Sequence, residues 1–305
     1  MMKRVIALLL LSAATASAAW VYAGKWGSRG TGNGQFIRPM GICVTVNGNV
    51  YVGDYSNNRI QYFTPAGSFL GKWGSNGSGD GQFDDPRNLA VGPNGYIYAV
   101  DQGNNRVQYF TPAGSYINQW RSSFYYPRGI GVASNGWVYV VDRNHHQIKY
   151  FTSSGSFIGS WGSLGSENGQ FDSPEDVAVA ANGNVYVTDG ISRVQYFTRA
   201  GSFLGKWSFT PGNPDGIEVR PNGDVYVTDV NYDRVKYFTS TGSLLGMWGT
   251  SGSGNGEFLE PYDVAFRRDG TRVYVSDEGH DRVQYFEDNT PVSPSSLGRV
   301  KALFE

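Results

Sequence analysis

The sequence is poor in cysteine, in histidine and in clustered charge, and each scarcity excludes a class of function. Cys43 is the only cysteine, so no disulfide can form within the chain. The formal net charge is -1, and lysine and arginine are scattered singly. The basic surface that attracts a phosphate backbone is therefore missing, and nucleic acid is not an expected partner.

Long apolar runs are lacking as well. The run from Val5 to Ala14 is about half of the ~20 residues that a membrane-spanning helix needs, so no membrane span is expected. It follows a basic start and precedes the small-residue sequence Ala16-Ser17-Ala18, which is the pattern of a secretory signal. Residues 1–18 are predicted to be a signal peptide, which places the mature protein in the periplasm or outside the cell.

The chain is rich in glycine, with 42 residues, and in aromatic side chains, at 15%. It also contains a repeat, because an aspartate closes a tyrosine-containing strand pattern at intervals of 40 to 48 residues. These aspartates are Asp54, Asp101, Asp142, Asp189, Asp229 and Asp277. Six repeats follow.

Each repeat has the pattern of a four-stranded meander. A proline opens the first strand, Asn-Gly or Asp-Gly forms the next hairpin turn in each of the six repeats, and a tryptophan closes the fourth strand. Sheets that are apolar on both faces must pack against each other, and radial stacking achieves this.

The last repeat stops after its third strand at Phe286, whereas Val21 to Ser28 resembles a fourth strand. The sequence predicts an all-β, six-bladed β-propeller of four-stranded antiparallel blades over residues 19–286, with the ring closed by the N-terminal strand. Residues 287–305 are predicted to form a Pro/Ser linker and a short tail.

The repeat pattern resembles the NHL-repeat family. The shared features are a Gly-rich loop, Pro-x-Gly-Ile-x-Val, Asn-Gly-x-Val-Tyr-Val-x-Asp and Asn-x-Arg-Val-Gln-Tyr-Phe, and they extend from Val21 to Phe286. The resemblance implies a six-bladed propeller of the secreted bacterial type. It implies no single chemistry, because such propellers include protein-binding modules, RNA-binding modules, sensor domains and a few enzymes. Function must therefore be argued from a site.

The candidate site is the axial mouth, where the residues that follow the repeated proline enter the innermost strands. Unlike the motif positions, these residues differ from blade to blade, with arginine on two blades and acids on three others. The candidate ligand-binding residues are Met40, Arg87, Asn88, Arg128, Glu175, Asp176, Asp215, Tyr262 and Asp263. We expect a monomeric, non-enzymatic binding or scaffold propeller that recognises a protein, a peptide or a small polar ligand on its loop-rich face.

Two alternatives remain open for these charges. They can simply pair with one another across a water-filled channel, and strand alternation prevents two consecutive positions from being equally axial. Alternatively, Glu175, Asp176 and Asp263 can hold a calcium ion at the axial channel in a metal-assisted hydrolase or lyase, as in gluconolactonase-like enzymes. An amidating-lyase-like zinc site is disfavoured, because the three histidines fall in loops of two opposite blades.

Features that recur in nearly every repeat are interpreted as structural. The repeated aspartate is expected to pair with an arginine that opens the third strand, as in Asp101 and Arg106, with Gln147 replacing that arginine in the third blade. Four long Gly-rich loops are expected to plug the blades with a phenylalanine. Cys43 occupies a position that is small in most other repeats, and it is expected to be a packed side chain without a base to activate it.

Overall fold

The computed structural model describes residues 20–289, which form six four-stranded antiparallel sheets. The innermost strands, each beginning at the repeated proline, are β2 (Pro39–Val44), β6 (Pro86–Val91), β10 (Pro127–Val132), β14 (Pro174–Val179), β18 (Pro214–Val219) and β22 (Pro261–Phe266). The second strands are β3 (Val50–Asp54), β7 (Ile97–Asp101), β11 (Val138–Asp142), β15 (Val185–Asp189), β19 (Val225–Asp229) and β23 (Arg272–Asp277). Adjacent innermost strands contact each other all the way round the ring. The predicted all-β six-bladed propeller is confirmed.

The outer half of each blade follows the same plan. The third strands are β4 (Arg59–Phe63), β8 (Arg106–Phe110), β12 (Gln147–Phe151), β16 (Arg193–Phe197), β20 (Arg234–Phe238) and β24 (Arg282–Asp288). The outermost strands are β5 (Phe69–Trp73), β9 (Tyr116–Trp120), β13 (Phe157–Trp161), β17 (Phe203–Ser208), β21 (Leu244–Trp248) and β1 (Trp20–Trp26). Three single-turn 3-10 helices, Tyr55–Asn57, Arg143–His145 and Glu278–His280, lie between second and third strands.

The N-terminal strand closes the ring, as the sequence predicts. Strand β1 pairs antiparallel with β24, with Val21 opposite Glu287 and Trp26 opposite Val283. β24 extends to Asp288, two residues past the predicted limit at Phe286. The predicted signal peptide and most of the predicted tail lie outside the described residues.

Buried tyrosines on the second strands connect neighbouring blades. Each stacks or packs on a tyrosine of its own third strand, and five of the six hydroxyls donate to a backbone carbonyl in the third-to-fourth-strand turn of the next blade. The sixth, Tyr226, instead accepts from the indole Nε1 of Trp20 at 3.3 Å. The reason is that the next blade is the sixth, where the two ends of the propeller meet and no such turn exists.

The repeated aspartates hold the loop that leads into each blade against the second strand of that blade. Arg106 and Asp101, both fully buried, pair at 2.6 Å from Nε to Oδ2, and equivalent pairs occur in four other blades. The other oxygen of Asp101 accepts the backbone N–H of Asp84 at 2.8 Å. In the third blade, Asp142 is bonded by Gln147 and Lys149 instead. The interpretation of these ion pairs as structural is supported by their geometry.

One position of the third strand is glutamine or lysine, and the choice depends on the length of the loop that leads into the blade. The four long Gly-rich loops bury Phe36, Phe83, Phe171 and Phe258 completely. In those blades a third-strand glutamine satisfies the loop backbone; Gln108, for example, accepts from Gly81 N–H and donates to the Gln82 carbonyl. In the two blades with short connections, Lys149 and Lys236 occupy that place and donate to loop carbonyls. The Gln-or-Lys alternation is visible in the sequence, although the interpretation above did not use it.

Candidate binding site at the axial mouth

The mouth is built from the second and third residues of the six innermost strands. Every one of these strands has a register irregularity just after its proline, as between Pro86 and Leu89. A bulge breaks strict alternation, so two consecutive side chains can both reach the axis. Both positions therefore make contacts between blades around the axis, although they lie at two different levels.

The second positions form the outer level of the mouth. Met40 and Tyr262 are buried and pack with Tyr55, whose 3-10 turn the sequence interpretation overlooked. The guanidinium carbon of Arg87 lies 5.0 Å from the centre of the Tyr262 ring, which belongs to the next blade but one around the ring. Cation–π contact and burial therefore fix Arg87 over an aromatic plane.

The remaining outer-level residues form a charged cluster. Arg128 pairs with Glu175, and Glu175 Oε1 also lies 3.2 Å from Nε of Arg143. The Oδ1 atom of Asp215 and the Nε atoms of Arg87 and Arg128 are buried without a hydrogen-bond partner among the described residues. Pairing across the channel, the first alternative above, thus applies to Arg128 and Glu175 but leaves other polar atoms of this cluster unsatisfied.

Positive charge is in excess in this cluster. Burial, and next the neighbouring Arg87, lower the pKa of Arg128 to about 10, and the same two causes lower the pKa of Arg143. Burial raises the pKa of Asp215. The positive charges of Arg87, Arg128 and Arg143 act in the opposite direction and lower it. An arginine whose pKa falls because another arginine is near would be stabilised by an additional anion.

The third positions form an inner level with an alternating pattern. Asn88, Asp176 and Asp263 stand on every second blade, and the three blades between them carry Gly41, Gly129 and Gly216. Asn88 Nδ2 donates to Asp176 Oδ1 at 2.9 Å across the ring. A Cβ on Gly129 would lie 2.3 Å from that same oxygen, so the close approach requires glycine.

Both inner aspartates bind the adjacent blade. Asp176 Oδ2 accepts the Ile217 N–H at 3.0 Å, and Asp263 Oδ2 accepts the Ile42 N–H at 2.9 Å. Burial raises the pKa of Asp176 to about 8 and that of Asp263 well above its usual range. The inner level is therefore a plug that joins blades, and its three polar residues are each 3% exposed, which is less than the charged residues of the outer level.

The three carboxylates considered for a calcium site do not form one group. Glu175 belongs to the outer level and binds two arginines, whereas Asp176 and Asp263 belong to the inner level and accept backbone N–H groups. Within residues 20–289, no three His, Cys, Asp or Glu side chains are arranged to hold a metal ion. Two of the histidines, His145 and His280, lie 2.9 and 3.1 Å from the repeated aspartates of their own blades.

The rim of the mouth contains aromatic residues that the sequence interpretation did not select. Tyr125 and Tyr126, just before the third blade, are 57% and 39% exposed, and Tyr232, after β19, is 49% exposed. Tyr126 lies beneath Arg128, with the guanidinium carbon 5.8 Å from the ring centre. The signal for Tyr125 and Tyr126 in the sequence was the short connection itself, which replaces a Gly-rich loop with two consecutive tyrosines.

A family model for the NHL repeat matches residues 36–63 and 124–151, which fall in the first and third blades. The other blades repeat the same strands, aspartate and ion pair. The chain contains NHL repeats, and its six-bladed propeller supports an assignment to the NHL-repeat family. Among the described residues, no helix of this propeller is long and apolar enough to span a membrane.

Curated relatives match this chain over 45 residues, about the length of one repeat. It is 49% identical to protein lin-41 of Caenorhabditis elegans over 45 residues, which is 15% of this chain and 4% of that protein. It is 51% identical over 45 residues to the E3 ubiquitin-protein ligase TRIM71 of Rattus norvegicus, again 15% of this chain and 5% of that one. The match therefore spans a small fraction of each relative's length.

Solved structures resemble the NHL-repeat propeller over most of its length. A gluconolactonase from Xanthomonas campestris has a TM-score of 0.66 at 14% identity, covering 89% of this chain and 98% of the other. The virginiamycin B lyase of Staphylococcus aureus has a TM-score of 0.61 at 15% identity, covering 82% and 94%. At such low identity the likeness concerns the fold alone. The NHL propeller fold supports a binding or scaffold role.

Proposed function

We propose that this NHL-repeat protein is a secreted or periplasmic binding propeller that recognises a carboxylate-bearing protein or peptide on its loop-rich face. The observation that carries the proposal is the arginine cluster at the mouth. Three arginines converge there, two of their Nε atoms have no described partner, and burial and mutual repulsion lower two of their pKa values. A carboxylate from a partner that entered the mouth would pair with this arginine cluster and offset its positive charge.

The rim supplies the contact area around that anchor. Tyrosine and arginine are among the side chains that most often dominate binding energy at protein interfaces. Tyr125, Tyr126 and Tyr232 are exposed on the same face as the mouth, and Tyr125 packs against His145 with the ring centres 5.7 Å apart. A peptide bound along this rim would cover aromatic surface while its carboxylate entered the mouth.

The extracytoplasmic location is part of the proposal and is supported by the sequence of residues 1–18. These residues combine a basic start, an apolar run and a small-residue cleavage pattern. Secretion would expose the loop-rich face to partners outside the cytoplasm. Fusing residues 1–18 to a reporter enzyme and measuring its export, with Lys3 and Arg4 changed to glutamate as the control, tests this step.

The binding proposal is tested by reversing the mouth charges. The double variant R87E/R128E and a matched control, K72E/K206E, carry the same change in net charge; Lys72 and Lys206 are exposed on outermost strands. Each is immobilised and exposed to the native secretome. We expect partners captured by the wild type to be retained by the control and lost by R87E/R128E.

Because Arg128 pairs with Glu175, the reversal can also weaken the fold, and R87Q/R128Q provides a milder second variant. Circular dichroism and thermal melting identify which variants are folded. If folded R87Q/R128Q and R87E/R128E capture the same partners as the wild type, the mouth does not recognise an anionic group and the proposal is wrong.

A further inference from the structure

The axial channel has a second opening, on the face opposite the loop-rich mouth. Below the plug of Asn88, Asp176 and Asp263 it widens into a cavity of about 440 Å³ that opens between the first-to-second-strand turns. Residues at its rim include Val46, Pro93, Ser134, Pro221 and Arg268. Sites for small molecules typically measure roughly 300 to 1,000 Å³, so the cavity is large enough for a small ligand.

The space exists because the fifth residue of most innermost strands is small. These residues are Cys43, Ala90, Gly131, Ala178, Glu218 and Ala265, and all six line the cavity. The fourth residues, such as Ile42 and Ile130, add an apolar wall. The cavity is therefore apolar along its sides and acidic at its inner end.

Glu218 is the exception among the six. Its Oε1 accepts the backbone N–H of Val219 at 2.8 Å, and no described residue donates to its Oε2 or forms an ion pair with it. Asp176 and Asp263, at the inner end, also have no cationic partner within residues 20–289. A buried carboxyl group without a counter-ion is costly, and nothing in the packing of the other five blades requires one.

We propose that this cavity binds a small organic cation, a primary ammonium group on an apolar body, with Glu218 as its anionic contact. The apolar walls would bury the body, and the free carboxylate oxygen would accept a charge-assisted hydrogen bond from the ammonium. An anion would be repelled by the ionised Glu218, and a neutral analogue would lack the charge assistance. This site is independent of the loop-rich mouth.

The pH dependence of binding follows from the groups that face the cavity. Burial raises the pKa of Glu218 to about 7, and that of Asp176 to about 8. Around them stand Cys43 on β2, Asp263 on β22, and Arg267 and Arg268 at the exposed rim, where Arg267 pairs with Asp269. A cation prefers the ionised carboxylate, so its affinity should rise between pH 6 and pH 8.

Three probes of similar size and different charge test the proposal: phenethylammonium, 2-phenylethanol and phenylacetate, each titrated calorimetrically into the whole protein. Phenethylammonium should bind at pH 8, about 10-fold or more tightly than 2-phenylethanol, and less tightly at pH 6. Phenylacetate should not bind. Equal affinities for the ammonium and the alcohol, or no binding of the ammonium at pH 8, would overturn the proposal.

Two substitutions locate the contact. Glu218→Ala places the residue already found at positions 90, 178 and 265, so the variant should fold, and Glu218→Gln keeps the shape without the charge. Both should lose the preference for phenethylammonium. In methyl NMR spectra the ammonium should shift signals from Ile42, Ile130 and Ile217, which line the cavity, and leave Met40 at the opposite mouth unchanged. A preference that survives both substitutions, or shifts confined to Met40, would refute the site.

Discussion

Replacing Glu218 by alanine should stabilise the protein at pH 8 and have little effect at pH 5. The side chain is half-buried in the cavity beside the axis, and its loss of solvation raises the pKa of the carboxyl group from 4.5 to about 7. Between these two pKa values, the carboxyl group is protonated in the folded state and ionised in the unfolded chain. Stability contributed by this group is present below pH 4.5 and is lost as the pH rises through 7.

The size of the effect follows from the shift. At about 1.36 kcal/mol for each pKa unit, the rise corresponds to about 3 kcal/mol of stability lost on ionisation. The side chain is partly exposed to the cavity, and solvent there reduces this figure to about 1 to 3 kcal/mol. Asp176 and Asp263 also titrate, but they are present in both proteins and largely cancel in the comparison.

Urea unfolding of the wild type, Glu218→Ala and Glu218→Gln at pH 5 and pH 8 measures this directly. Both variants should gain about 1 to 3 kcal/mol relative to the wild type between pH 5 and pH 8. A difference in unfolding free energy that is the same at both pH values would refute the reasoning. It would mean that the carboxylate is ionised at little cost, through solvent or a partner in the cavity.

Two further predictions concern the scaffold. Deleting residues 20–26 removes β1, leaves β24 without its partner strand and exposes the surface that Trp20 and Trp26 cover. The variant should therefore aggregate. A monomeric elution profile with an unchanged melting temperature would contradict the closure of the ring by β1. Asp101→Asn and Arg106→Ala should each destabilise by about 3 to 5 kcal/mol in urea unfolding, because each leaves a fully buried partner unpaired. The double variant should lose less than the two together, and additive losses would show that the residues do not interact. Arg234→Ala is the matched control, with a smaller loss expected because its side chain is 19% exposed.

The fold could be predicted from the sequence because six copies of one pattern reinforce each other. The repeated proline, Asn-Gly turn, aspartate and tryptophan mark the same strands in every blade, and a fourth strand missing at one end was present at the other. The interblade hydrogen bonds of the tyrosine hydroxyls could not be predicted. They join residues more than fifty positions apart, and only the radial geometry brings them together.

The candidate site was predicted less completely. The positions after the repeated proline do reach the axis, but the sequence does not reveal that a bulge separates them into two levels. Arg143 and Tyr55 enter the mouth from second-to-third-strand turns, which a search along the innermost strands does not include. The cavity at the opposite face was missed because its signal is an excess of small side chains, with Glu218 standing out among them.

The affinity of a captured partner for the mouth tests the central claim most directly. Once a partner is identified, its dissociation constant is measured by calorimetry for the wild type, R87E/R128E and K72E/K206E. Loss of a desolvated anionic contact should cost about 2 to 5 kcal/mol, which is about 30-fold or more in affinity, in the mouth variant only. Equal dissociation constants for a folded R87E/R128E and the wild type would contradict recognition at the loop-rich face.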